Sequence, residues 1–178
     1  MRQLGIGTAA YLSDNNDQIF SSTAAEPWPA TLQAKYVTTW KAFRSSFDKR
    51  PEGSDAIPAN QPVSYGINVN ILTQTSGGPT DFDGNVTKIT STSSLIYMAP
   101  TVDPAQAKVA FVANTGGTNA SLPMPGAPTT RRGTHGNRAQ INALYMDAHV
   151  AALNYRDYAT TTGDEGQRRW MPIPPTTP

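Results

Sequence analysis

Residues 141–153 constrain the fold most tightly. Two apolar runs of strand length, 141–146 and 150–153, are separated only by Asp147-Ala148-His149. Such runs on either side of a short polar break predict a β-hairpin. Asp suits the turn, because its carboxylate accepts hydrogen bonds from the backbone just beyond it. Ala148 is the awkward residue. A primed turn wants glycine there, since a Cβ at positive φ costs roughly 1 kcal/mol. Asp147 and His149 lie two positions apart and are expected to share a face.

Upstream, Met1, Leu4, Thr8, Tyr11 and Leu12 follow the spacing of one helical face. Gly5 and Gly7 each weaken an isolated helix by roughly 1 kcal/mol, so packing must hold it. Residues 13–17 (SDNND) stop it, because their side chains compete for backbone hydrogen bonds. A helix that begins at the first residue without a cap reads as the tail of a longer one. Glu26-Pro27-Trp28-Pro29 is expected to be a rigid extended link, and residues 31–47 a second helix through Leu32, Tyr36, Trp40 and Phe43. Residues 49–62 read as an exposed loop. Residues 63–72 alternate apolar and polar, predicting a strand with one dry face. Further strands are expected at 86–89, 94–98 and 109–112, a long surface loop at 114–130, and an irregular, proline-broken tail anchored by Trp170.

A chain of 178 residues is one domain by the usual prior and buries about 70% of its unfolded surface. It has no cysteine, which excludes thiolate zinc sites, iron–sulfur clusters and cysteine nucleophiles. The net charge of +1 offers little to a phosphate backbone or an acidic membrane. Charged residues make up only 15%, a balance that suits an extracellular β-rich domain with long loops.

Several stretches, in order, resemble bacterial prepilin-type proteins related to type IV pilins and type II secretion pseudopilins. Residues 2–7 and 11–17 resemble that family's LRQLGLA…YxxDNNG segment, and residues 35–48 its YV…vFrCPsD segment, with Ser45-Ser46 where Cys-Pro is usual. Ser64-Tyr65-Gly66-Ile67-Asn68 matches SYGxN. His135, Asp147, Ala148 and His149 resemble a signature of His, nine residues, then Asp-Gly-His-Val. Here eleven residues intervene and Ala148 replaces the Gly. The resemblance implies an α+β, pilin-like fold: an N-terminal helix packed on an antiparallel β-sheet with long loops. Its expected layout is one head domain over 1–178. Residues 1–20 would be the C-terminal half of a spine helix, 21–62 a connection with a short helix, 63–158 the sheet and loops, and 159–178 an irregular tail. It implies a non-catalytic filament or pseudopilus subunit at the cell surface or in the periplasm. Before assembly an upstream apolar helix would anchor it in the inner membrane. Its partners would be copies of itself or related subunits, met through the N-terminal helix, with no nucleic acid expected.

Other chemistry stands beside this. Asp81, Asp83 and Asn85 place oxygens at alternate positions around Gly84, like part of a calcium loop, but no bidentate acid follows. An Asp-Gly turn explains them more simply. Asp14, Asn15, Asn16 and Asp17, read as the helix stop, are weaker calcium candidates. His135, Asp147 and His149 could begin a metal-dependent hydrolase site, although a turn accounts for Asp147. Arg131, Arg132 and Arg138 form a small basic cluster, read as a solvated loop or subunit contact. Trp28, Trp40 and Trp170 would stack sugars only if exposed, and core anchoring is the simpler expectation. The alternative function is therefore a surface glycan- or calcium-binding module built from the loops near Trp28, Asp81 and residues 114–130.

Overall fold

A helix lying on a sheet organises the molecule. The structure, a computed structural model, describes residues 1–20, 27–48, 62–71, 82–101, 121–122, 134 and 139–173. Helix α1 (Arg2–Asp14) buries Leu4, Gly5, Gly7, Thr8 and Leu12 on one side. It ends where Asn16 and Asp17 take left-handed backbone angles, φ 53° and 58°. Asn and Asp tolerate that region better than other side-chain-bearing residues, and the Asp17 N–H then donates back to the Leu12 carbonyl at 3.0 Å. The glycines that cost helix propensity are the contact points. A Cβ on Gly5 would meet Leu144 Cδ1 at 3.0 Å, and one on Gly7 would meet Val37 Cγ2 at 2.4 Å.

Helix α2 (Trp28–Lys35) starts inside the expected extended link. Pro27 is its extended cap and Pro29 sits in the first turn, where a missing N–H costs nothing. The expected second helix over 31–47 is broken after Lys35, because Val37-Thr38-Thr39 is a β-branched run that resists helix. A 3-10 turn (Trp40–Phe43) follows, its Lys41 N–H capped by Thr39 Oγ1 at 3.3 Å. Leu32, Trp40 and Phe43 still reach the core.

The sheet has five strands: β1 (Tyr65–Asn68), β2 (Ile96–Pro100), β3 (Ser121–Leu122), β4 (Gln140–Tyr145) and β5 (Val150–Asn154). Their spatial order is β3-β1-β2-β4-β5. Strands β1, β2, β4 and β5 form an antiparallel set, and the short β3 runs parallel to β1. The fold is thus α+β, with an N-terminal helix on a four-stranded antiparallel sheet. Strand β1 is shorter than the expected 63–72, giving way to a 3-10 turn (Val69–Ile71), and all four of its residues are buried. Its expected wet face is absent because protein covers both sides. The expected strand at 86–89 is a 3-10 turn (Val86–Lys88), set by Asn85 Oδ1 accepting from the Thr87 N–H at 2.9 Å. Strand β2 begins two residues later than expected, since Ser94 belongs to the preceding turn. The expected strand at 109–112 and most of the loop at 114–130 lie outside the described residues.

Alternation along β4 divides the core. Leu144 and Met146 join Leu4, Leu12, Phe20, Trp28, Ile67, Tyr97 and Met98 on the α1 side. Ile141, Ala143 and Tyr145 face the other way, with Ile96, Ala99, Tyr158 and Trp170. An irregularity in β2 between Ile96 and Met98 lets Tyr97 and Met98 both join the α1 side. The second layer is α3 (Tyr155–Ala159) and α4 (Gly163–Trp170), which corrects the expectation of an irregular tail over 159–178. Prolines resume only at Pro172. Asp164 and Glu165 in the first turn of α4, with Arg168 and Arg169 in the last, also match the helix dipole. Trp170 does anchor this segment: it is fully buried and its indole donates to the Tyr158 carbonyl at 3.0 Å.

Gly7→Ala tests the α1 contact. Alanine recovers about 1 kcal/mol of helix propensity, while the overlap with Val37 costs about 1–3 kcal/mol. Chemical denaturation should show destabilisation in the native background and a gain of about 1 kcal/mol in a Val37→Ala background. Burial also raises the Tyr97 and Tyr158 hydroxyls far above the usual tyrosine range. A raised folded value gives stability that is present below about pH 10, where unfolded tyrosine ionises, and lost as pH rises further. Unfolding above that pH should accompany tyrosinate absorbance, and Tyr158→Phe should move the transition to higher pH.

Candidate functional site

The β4–β5 hairpin carries the only described histidine. Tyr145 accepts from the Ala148 N–H at 3.0 Å and donates to the His149 carbonyl at 2.9 Å. This is a three-residue hairpin loop, a turn followed by one left-handed residue, and Ala148 fills that position at φ 69°. The loop is not a two-residue primed turn, yet the demand for glycine falls on the same residue. Asp147 Oδ1 accepts from the His149 N–H at 3.2 Å and lies 2.6 Å from His149 Nδ1. With Nδ1 donating to the carboxylate, Nε2 is the ring's remaining polar atom. The imidazole stacks on the Tyr145 ring, 4.2 Å between centroids and 7° from parallel. The expected pairing of Asp147 with His149 is present, and so is the turn role of Asp147.

Clefts open on both sides of this hairpin. One, of about 660 Å³, lies where α1 begins and is bounded by Met1, Phe47, Tyr65 and Val150. The other, of about 420 Å³, lies between the hairpin, the turn at Ser93-Ser94 and the end of α4. It brings together Ser93, Ser94, Tyr145, His149, Arg168 and Arg169, with Glu165 also on its wall. Burial raises the Tyr145 hydroxyl, and the Arg169 charge opposes that rise.

The other motif residues hold the fold together. Ser64 donates from Oγ to Asp48 Oδ2 at 2.6 Å and accepts the Ser45 N–H at 2.9 Å. Its backbone joins the Phe43 carbonyl and the Thr101 N–H, both at 2.9 Å. The hydroxyl is committed to a buried carboxylate, and among the described residues it meets no imidazole, so it acts as a clamp. Tyr65 pairs with Pro100 and Gly66 with Ala99 in the ladder. Burial raises the Tyr65 hydroxyl, with a Ser45 hydrogen bond in opposition. Asn68 is fully buried; its amide donates to the Ile96 carbonyl at 2.9 Å and the Trp170 carbonyl at 3.0 Å. Asn70 adds a second donor to Trp170 at 3.1 Å. Two asparagines thus satisfy the last carbonyl of α4, which its own helix leaves open.

The calcium-loop candidates form a turn. Gly84 has φ 86°, Asp83 accepts from the Asn85 N–H at 3.2 Å, and Lys88 Nζ lies 2.8 Å from the other Asp83 oxygen. The Lys88 hydrogen bond, more than any other contact, holds the Asp83 carboxyl below its usual range. A cation at Asp83 would have to displace that ammonium. Asp81, His135, Arg131, Arg132 and Arg138 lie outside the described residues. Among the described residues, no three His, Asp or Glu side chains converge as metal ligands would. Trp28, Trp40 and Trp170 are all buried, so none presents a sugar-stacking face. Sequence reasoning missed Ser93, Ser94, Arg168 and Arg169. The available signal was an arginine pair one residue before a core tryptophan, which puts both charges at the end of a docked helix.

No protein-family model, curated protein or solved structure matches this chain.

Ala148→Gly should stabilise the protein by about 0.5–1 kcal/mol, by relieving the left-handed Cβ. Thermal or denaturant unfolding measures this. The hairpin geometry is wrong if the substitution destabilises by as much.

Proposed function

We propose that the chain is the head of a filament or pseudopilus subunit, a structural protein that packs against copies of itself along α1. One observation carries this reading. Helix α1 is buried on one side only, and among the described residues the exposed large apolar side chains gather beside it. Ile6 on its outer side is 62% exposed, while Phe47 and Val150, at 40% and 41%, border the cleft where it begins. Ala9 and Ala10 continue the bare outer side with small side chains that let another helix approach closely. A bare apolar strip on an otherwise well-packed domain favours protein contact.

The ordered motifs of the sequence supply the filament as the particular assembly. On this reading an upstream apolar segment of about 20 residues anchors the subunit in the inner membrane before assembly. Among the described residues no helix is long and apolar enough to cross a membrane. The glycan- or calcium-binding alternative draws no support from the buried tryptophans or from the Asp83–Lys88 pair. Of the metal-dependent hydrolase candidates, Asp147 and His149 are paired and His135 lies outside the described residues.

Because the chain has no cysteine, a single introduced thiol reports contacts cleanly. In cells expressing the full reading frame, Ile6→Cys should give a covalent dimer on mild oxidation. Arg156→Cys, exposed on the opposite layer, should stay monomeric. Equal yields from both, or no dimer from Ile6→Cys in assembled material, would overturn the reading.

A further inference from the structure

Four of the side chains lining the cleft on the α4 side of the hairpin, Ser93, Ser94, Arg168 and Arg169, can donate hydrogen bonds, against one carboxylate, Glu165. Arg168 and Arg169 offer only N–H donors and a fixed positive charge. Ser94 Oγ lies 3.1 Å from Ser91 Oγ, and a serine hydroxyl can donate to a ligand as well as accept. Ser93 adds a second, exposed hydroxyl. His149 directs Nδ1 to Asp147, and its ring forms part of the cleft wall. Arg169 is held in place by donation from Nη1 to the Asp157 carbonyl, and that anchor leaves the rest of its guanidinium to a ligand. Two acids oppose the charge. Asp147 is occupied by His149, whereas Glu165, one turn before Arg168, makes no ion pair with it among the described residues. The stack of His149 on Tyr145 forms a rigid wall beside these donors. The cleft's volume of about 420 Å³ exceeds what a bare ion needs and admits a group the size of a sugar ring.

From this arrangement we infer that the cleft binds an oxyanion, namely a carboxylate, sulfate or phosphate group borne by a small ligand or a sugar unit. Arg168 and Arg169 supply the charge. Ser93 and Ser94 supply directed hydrogen bonds, and the His149 ring closes one side. This site is separate from the α1 face and does not depend on filament assembly.

The test is a titration of isotope-labelled full chain with sodium sulfate, sodium phosphate and sodium glucuronate, at constant ionic strength kept with chloride and followed by amide chemical shifts. Saturable shifts confined to Ser93, Ser94, His149 and the end of α4 are expected with at least one of the three, and the strongest response identifies the oxyanion. Arg168→Gln should weaken that binding at least about tenfold, the loss typical of a charge-assisted hydrogen bond. Glu165→Gln should strengthen it. Arg156→Gln changes net charge equally but lies outside the cleft, and should leave the binding constant within about twofold, as a screened surface charge does. Unsaturable shifts with all three salts would overturn the inference, as would equal weakening by Arg156→Gln and Arg168→Gln.

Discussion

The close approach of α1 to the sheet is the contact on which the other features rest. It depends on Gly5, which has no side chain where Leu144 comes nearest, while Gly7 in the same way admits Val37 just after α2. Thr8 then reaches the sheet, its hydroxyl donating to the Tyr97 oxygen at 3.3 Å in a fully buried setting. The same approach brings α1 against the hairpin loop, since a Cβ on Gly5 would lie 3.3 Å from Ala148 Cβ. A strained loop residue and a helix glycine therefore meet, and the Asp147–His149 pair projects from a turn backed by α1. Propensity lost in the helix and strain held at Ala148 are offset by apolar burial, worth about 25 cal/mol per Å² removed from water.

The second layer is secured differently. Helix α4 is short and polar, and its own apolar contribution is little more than Trp170. Asn68 and Asn70 hold its last carbonyl from a buried position, and the Trp170 indole closes onto α3. Buried amides that are fully paired fix one arrangement, because any slip strands polar groups away from water. The sheet thus meets one helix through packing and another through directed hydrogen bonds. Arg168 and Arg169 stand beside His149 because the anchor immediately follows them in sequence.

Local patterns made α1 and the hairpin legible in the sequence. The helical spacing of Leu4, Thr8 and Leu12, the stop at residues 13–17 and the turn chemistry of Asp147 all act within a few residues. What misled was tertiary. The segment 63–72 alternates as if half-wet, but its polar residues Ser64 and Asn68 are buried and spent on distant partners, Asp48 and Trp170. The segment 86–89 has strand composition, yet Asn85 diverts it into a 3-10 turn. The tail was dominated by its prolines, all of which follow α4. Asp147 and His149 were legible as a pair because they are neighbours, whereas the arginines and serines opposite them come from separate segments with no shared pattern.

Native-state hydrogen exchange tests the central claim, that α1 is an integral part of the folded core and not a loosely attached extension. Amides of Thr8 and Leu12 should exchange with the same opening free energy as those of Tyr97 and Leu144, the value for global unfolding. Exchange of the α1 amides at rates typical of fraying, while β2 and β4 stay protected, would contradict the account.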